Sequence, residues 1–204
     1  MGFLSPSTSL TRYRVEGKLE NPVMENIYTG LTRNAISNID DNAAERAIGW
    51  TAFSDPFIPT FEGSSFTIGT YFLFSLRIDK KTIPAKVIQK YYAIELYKKL
   101  KASGREFLSR NEKKMIKEHV INLLTLRIPA TPNIYNLLWN HEEESLWLFT
   151  NLKSACEELE TFFLTSFHLK LIRLFPYTMA EFYGKLSGEE YDTFNRLAPS
   201  NLME

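Results

Sequence analysis

Two groups of cations are spaced as if to grip a polyanion. On a helical projection, Lys86, Lys90, Tyr97 and Lys101 fall within roughly 60° of one another, and Arg110, Lys113, Lys114 and Lys117 within roughly 100°. Ammonium and guanidinium groups arranged this way can contact a row of phosphates, which gives affinity without reading bases. No obvious Asn or Gln base readers stand among them, and Tyr97 could stack on a sugar or base. Lys80, Lys81 and Arg105 border the stripes and complete the expected contact set. A solvated helical face would carry the same lysines for solubility alone, and an exposed Tyr is commonplace, so charge by itself leaves both readings open.

The overall charge balance hides this segment. The 204 residues carry 24 basic and 24 acidic side chains. Between Arg77 and His119, however, 13 Lys or Arg face 5 Asp or Glu, a local +8, and the rest holds 11 against 19, a local −8. Like charges crowded on one segment repel, a cost that a polyanionic partner relieves.

Signals for catalysis are sparse. Asp55, Asp79 and Lys81 contain the elements of a metal-dependent nuclease, two acidic ligands and a lysine for the scissile phosphate. Asp79-Lys80-Lys81 reads equally well as the exit from a strand. His119, His141 and His168 are far apart and fit no zinc pattern, and His141-Glu142-Glu143-Glu144 reads as an acidic turn. Cys156 falls on the apolar face of a helical segment, the place of a buried small side chain rather than a nucleophile. No glycine loop cradles a phosphate, and no cofactor is expected.

The elements that must position the stripes follow from periodicity and caps. Leu10 to Val15 reads as a strand, and Asn21-Pro22 as an N-cap with proline at the first helical position, opening a helix to about Ala35. Asn38 to Asn42 is loop, and Gly49 to Phe53 a strand anchored by Trp50. Phe66 to Ile78 reads as one central strand, apolar on both faces at its start. Pro84 opens a helix that ends before Gly104. Ser109-Arg110-Asn111-Glu112 is a capping box for a second helix, to about Leu126, ahead of Pro129 and Pro132. The predicted helices would pack Ile88, Tyr92 and Leu96 against Ile116, Val120 and Leu123. Ile134–Trp139 and Leu146–Phe149 read as a β-hairpin, Asn151–Phe167 as an amphipathic helix, Leu169–Arg173 as a last strand, and Thr178–Asn195 as short helices. The expectation is an α+β fold: a mixed or antiparallel sheet body from residues 1–79 and 130–204, with 80–129 projecting as a basic helical hairpin.

Composition sets the outer bounds. Apolar residues at 44% and charged residues at 24% fit one globular core. A single cysteine cannot form an internal disulfide. Met1 to Pro6 lacks a signal-peptide pattern and fails the myristoylation motif, and no apolar run approaches a membrane span. These features point to the cytoplasm and to no membrane partner.

An ordered series of segments carries a family likeness. Ile48-Gly49-Trp50 comes first, then Phe72-Leu73-Phe74-Ser75-Leu76-Arg77-Ile78-Asp79-Lys80-Lys81-Thr82-Ile83-Pro84. A Lys-rich helix pair ending near Leu123-Leu124 follows, then Leu137-Leu138-Trp139 and the Leu146–Phe149 strand. Over roughly residues 8 to 175 this resembles the recombination-associated RdgC family. The resemblance implies a horseshoe subunit with a sheet centre, a helical tip and a base, the basic hairpin corresponding to the tip. It further implies a homodimeric ring that binds double-stranded DNA without sequence preference, antagonises recombinase filaments and associates with the nucleoid. Typical members are longer by a C-terminal base, which leaves ring closure open for this chain. Beside this reading stand a nuclease using Asp55, Asp79 and Lys81, and a protein-binding module whose hairpin docks an acidic partner.

Overall fold

The computed structural model describes residues 5–63, 65–184 and 186–197. Met1–Leu4, part of the stretch tested for a targeting signal, and the 198–204 end of the expected body lie outside them. Among the described residues the fold is α+β, with one sheet of seven strands in the order β2 (Arg46–Ala52), β4 (Tyr71–Lys80), β5 (Thr131–Asn140), β6 (Ser145–Leu148), β1 (Thr11–Glu16) and β7 (Lys170–Leu174), and β3 (Thr67–Ile68) added beside β4. Every ladder is antiparallel.

The chain begins with β1 (Thr11–Glu16) and α1 (Val23–Arg33), and β2 (Arg46–Ala52) forms one edge. The expected Phe66–Ile78 strand is divided: a turn at Gly69-Thr70 separates β3 (Thr67–Ile68) from β4 (Tyr71–Lys80), which fold back on each other. β4 is central, paired with β2 on one side and with β5 (Thr131–Asn140) on the other. β6 (Ser145–Leu148), α4 (Lys153–Phe167) and β7 (Lys170–Leu174) follow, then α5 (Pro176–Tyr183) and α6 (Gly188–Asn195). Two cap details differ from the sequence reading. Pro22 itself is the N-cap of α1, and Asn34 closes that helix. Pro132 lies inside β5, where β6 does not reach and the strand has an open edge, the position in a sheet that tolerates proline.

Side chains alternate across β4, and one face builds the core. Phe72, Phe74, Leu76 and Ile78 join Trp50, Leu137 and Trp139 from neighbouring strands. Over them lie Ile27 and Leu31 of α1 and Cys156, Leu159, Phe163 and Phe167 of α4. Trp50 is fully buried, its indole N–H donating to Ser166 Oγ at 2.9 Å, with Phe74 edge-on at 5.2 Å and Phe162 at 4.9 Å. The preceding residue has to be glycine because the chain crosses the strand there. Asn34 C=O accepts from Trp50 N–H, Ile36 N–H donates to Trp50 C=O, and a Cβ at Gly49 would overlap the Ile36 backbone.

Truncating Trp50 to Ala should destabilise the protein by about 3–5 kcal/mol, the range for deleting a large buried aromatic. Gly49→Ala should cost about 1–3 kcal/mol through overpacking. Urea unfolding followed by circular dichroism measures both; a loss under about 1 kcal/mol for Trp50→Ala would contradict its place in the core.

Candidate nucleic-acid interface

Between β4 and β5 the chain leaves the sheet as two helices, α2 (Ala85–Ser103) and α3 (Arg110–Thr125). Pro84 precedes α2, and Gly104, in the left-handed conformation at φ 63°, ends it. Ser109 opens α3 with a complete capping box: its hydroxyl accepts from Glu112 N–H at 3.2 Å, and its own N–H donates to the Glu112 carboxylate at 2.8 Å. That backbone N–H is the chief reason the Glu112 carboxyl titrates below its ordinary value, with the Ser109 hydroxyl and Arg105 adding to it.

The helices close on a small cluster of their own, separate from the main core. Leu108, Ile116, Val120 and Leu124 are buried, with Ile88, Tyr92, Leu96 and Leu100 of α2 partly buried against them. Leu123, expected from its spacing to face this seam, does not. It is 39% exposed, and Leu124 takes the place because Ile116, Val120 and Leu124 form a straight i, i+4 row. No residue of α2 is fully buried.

Opposite sides of this hairpin differ in chemistry. On one side lies a groove of about 610 Å³, walled by Glu95, Lys98, Lys99 and Ala102 of α2 and by Met115, Ile116 and His119 of α3. Around each helix in its own rotational sense, the groove residues come first, the seam next, and the basic arc after it. Both helices wall one groove, so both basic arcs lie together on the other side. Lys86, Lys90, Tyr97 and Lys101 therefore share a face with Arg110, Lys113, Lys114 and Lys117, and all eight are exposed.

The cations on that face are lightly engaged. Lys86, Lys101, Arg110, Lys113 and Lys117 make no ion pair among the described residues, and Lys90 sits 5.7 Å from the Tyr91 ring. Lys114 pairs with Glu118 at 3.8 Å, and exposed Arg105 pairs with Glu112 at 3.4 Å. Such solvent-exposed pairs contribute little to stability and yield readily to a phosphate. Three cations crowd the first turns of α3, where the helix dipole disfavours them by about 0.3–1 kcal/mol each.

The two lysines bordering the stripes part company. Lys80 is exposed and stands directly across from Arg46 in the β2–β4 register, extending positive charge onto the body. Charge counting along the chain missed Arg46, because only strand pairing brings it beside Lys80. Arg46 is also tied to Glu158 at 2.6 Å. Lys81 is 6% exposed, and its ammonium donates to the carbonyls of Asp40, Asn42 and Thr125, so it does not belong to a phosphate-contacting surface. The nuclease arrangement loses its parts for the same reason. Asp79 is buried and held bidentately by Arg77 at 2.6 and 2.7 Å, while Asp55 lies on an exposed loop with its carboxylate accepting from Phe57 N–H. No group of three His, Cys, Asp or Glu side chains capable of holding a metal occurs among the described residues. No helix among them is long and apolar enough to cross a membrane.

A family model described as "Putative exonuclease, RdgC" matches residues 8–174. No curated protein matches the chain.

The capping box predicts that the start of α3 loosens in acid. A carboxyl depressed on folding contributes stability that is whole above its unfolded value and fades as pH falls through the folded one. Amide protection at the start of α3, measured against the intrinsic exchange rate at each pH, should therefore fall on acidification. Glu112→Gln, which retains an acceptor for Ser109 N–H, should flatten that pH dependence. An unchanged profile in the variant would remove Glu112 from this role.

Proposed function

The chain belongs to the RdgC family, and we propose that it binds duplex DNA through the basic face of the α2–α3 hairpin, in DNA recombination. The observation that carries this is the convergence of both basic arcs on one exposed side, with most of their charges free of ion pairs among the described residues. Tight clustering of uncompensated cations is unfavourable in isolation, and a phosphate backbone relieves it while counterion release supplies affinity. Tyr97, 66% exposed among the lysines, offers a flat ring to sugar or base. Binding of this kind discriminates little between sequences, because phosphates carry no base identity. Homodimerisation, restraint of recombinase filaments and association with the nucleoid belong to the same reading.

A second reading is favoured by the exonuclease in the family model's description. Incubation of end-labelled duplex with the protein and Mg²⁺ or Mn²⁺ separates the two. Retarded but intact DNA is expected, and shortening of the label would establish a nuclease. Retention on heparin without a shift of duplex DNA would point instead to an acidic protein partner.

Six contacts from Lys86, Lys90, Lys101, Arg110, Lys113 and Lys117 predict a log–log salt slope of roughly −5. Reversing the first three to Glu, or the last three, should lower the slope by about three and weaken binding to all sequences alike. Melting should barely move for the first set, since exposed substitutions stay within about 0.5 kcal/mol each, and should rise slightly for the second, where Glu replaces cations at the start of α3. Sedimentation distinguishes lost contacts from separated subunits. Folded variants of unchanged oligomeric state that bind normally would exclude the hairpin as the binding surface.

A further inference from the structure

We propose that Lys81 is a positioning residue: its ammonium locks the root of the hairpin to the body and thereby sets how the basic face is presented. This rests on the reading of the hairpin as a DNA-binding surface. Lys81 lies where β4 gives way to the hairpin and is withdrawn from solvent. Its Nζ donates to Asp40 C=O at 3.1 Å, to Asn42 C=O at 2.8 Å and to Thr125 C=O at 2.8 Å. An ammonium has three donors, and each has an acceptor here. Two acceptors belong to the loop between α1 and β2. The third is a last-turn carbonyl of α3, which has no partner within its helix and lies at the negative end of the helix dipole. Lys81 N–H donates in turn to Glu45 C=O at 2.8 Å.

The same loop grips the hairpin a second time. Ala130 N–H, on the exit segment, donates to the Asp40 carboxylate at 2.7 Å. One short loop thus ties together the entry residue, the end of α3 and the exit strand. Little else fixes the hairpin's angle, because α2 buries no residue completely and the cluster of Ile116, Val120 and Leu124 is separate from the main core. Simple filling of the site would need only an aliphatic side chain. A lysine is required because three carbonyls must be satisfied at once, that of buried Thr125 among them, and leaving the Thr125 carbonyl unpartnered favours opening of the root. A root held in one arrangement presents the cations without the ordering cost that a swinging hairpin meets on binding.

The test uses the full chain and two substitutions, Lys81→Met and Asp40→Ala. Hydrogen exchange of the backbone amide at 81 and of the non-proline amides in 126–130, which are hydrogen-bonded in the structure, should speed up about tenfold in Lys81→Met, with β4 amides and tryptophan fluorescence unchanged. Asp40→Ala should loosen 126–130 alone. Duplex DNA affinity of Lys81→Met at fixed salt should fall about tenfold while its salt slope stays within about half a unit of the parent. A slope lowered by about one with unaltered root amides would make Lys81 a phosphate contact and overturn the proposal. Unchanged exchange would overturn it whatever happens to DNA binding, and faster exchange with unchanged affinity would overturn the positioning role. Should Lys81→Met not fold, Asp40→Ala decides by the same readouts: faster 126–130 exchange with weaker binding sustains the latch, and no change sinks it. Normal binding by the charge-reversed hairpins, beside a loosened root in Lys81→Met, would fault the DNA reading and leave the latch standing.

Discussion

β4 is paired along its whole length by β5 and over most of it by β2, and from Phe72 to Asp79 every side chain except Arg77 is buried. Enclosure on both faces governs the chemistry of everything attached to this strand. The apolar face can be filled by α1 and α4, but the other carries Ser75 and Asp79, which must find partners inside the protein. Ser75 donates to Asn136 on the adjacent strand, and Asp79 takes both arms of the Arg77 guanidinium. Arg77 in turn reaches Pro56 C=O and lies over the Phe57 ring, which draws the 53–62 loop onto the sheet. A carboxylate so held serves the fold, because breaking one partner of a buried pair costs far more than the pair gains.

Where β4 ends, the demand for internal satisfaction continues through Lys81 and then stops. Beyond it the hairpin has only a narrow seam of its own. Its cations face water, and the same chain that pairs Asp79 and Lys81 inside leaves Lys86, Lys101, Arg110, Lys113 and Lys117 without ion pairs among the described residues. The two environments sit a few residues apart. Electrostatic strain is thus confined to an appendage whose separate cluster limits its effect on the core.

Much of the scaffold could be read from local signals. The capping box at Ser109, the glycine after α2, the i, i+4 rows and the alternation along β4 each depend on neighbours in sequence, and each has its counterpart in the structure. Three features depart from those signals, for local and long-range reasons alike. Leu124 rather than Leu123 fills the seam because it continues the i, i+4 row of Ile116 and Val120. Pro132 could enter a strand because β6 stops short of it. β3 and β4 split because a turn at Gly69-Thr70 lets the chain pair with itself.

For the candidate site the division is sharper. Residue types and helical spacing determine by themselves that two basic arcs exist and that each lies away from an apolar row, since 100° per residue is a property of the backbone. Only the tertiary structure decides that the arcs share one side of the hairpin, because that depends on how antiparallel helices meet along their seam. It also decides which lysines are free. Lys80 and Lys81 are adjacent in sequence and identical in type, yet alternation along an extended chain sends them to opposite faces. One meets solvent beside Arg46, the other the carbonyls of a loop some forty residues earlier and of a helix end some forty residues later.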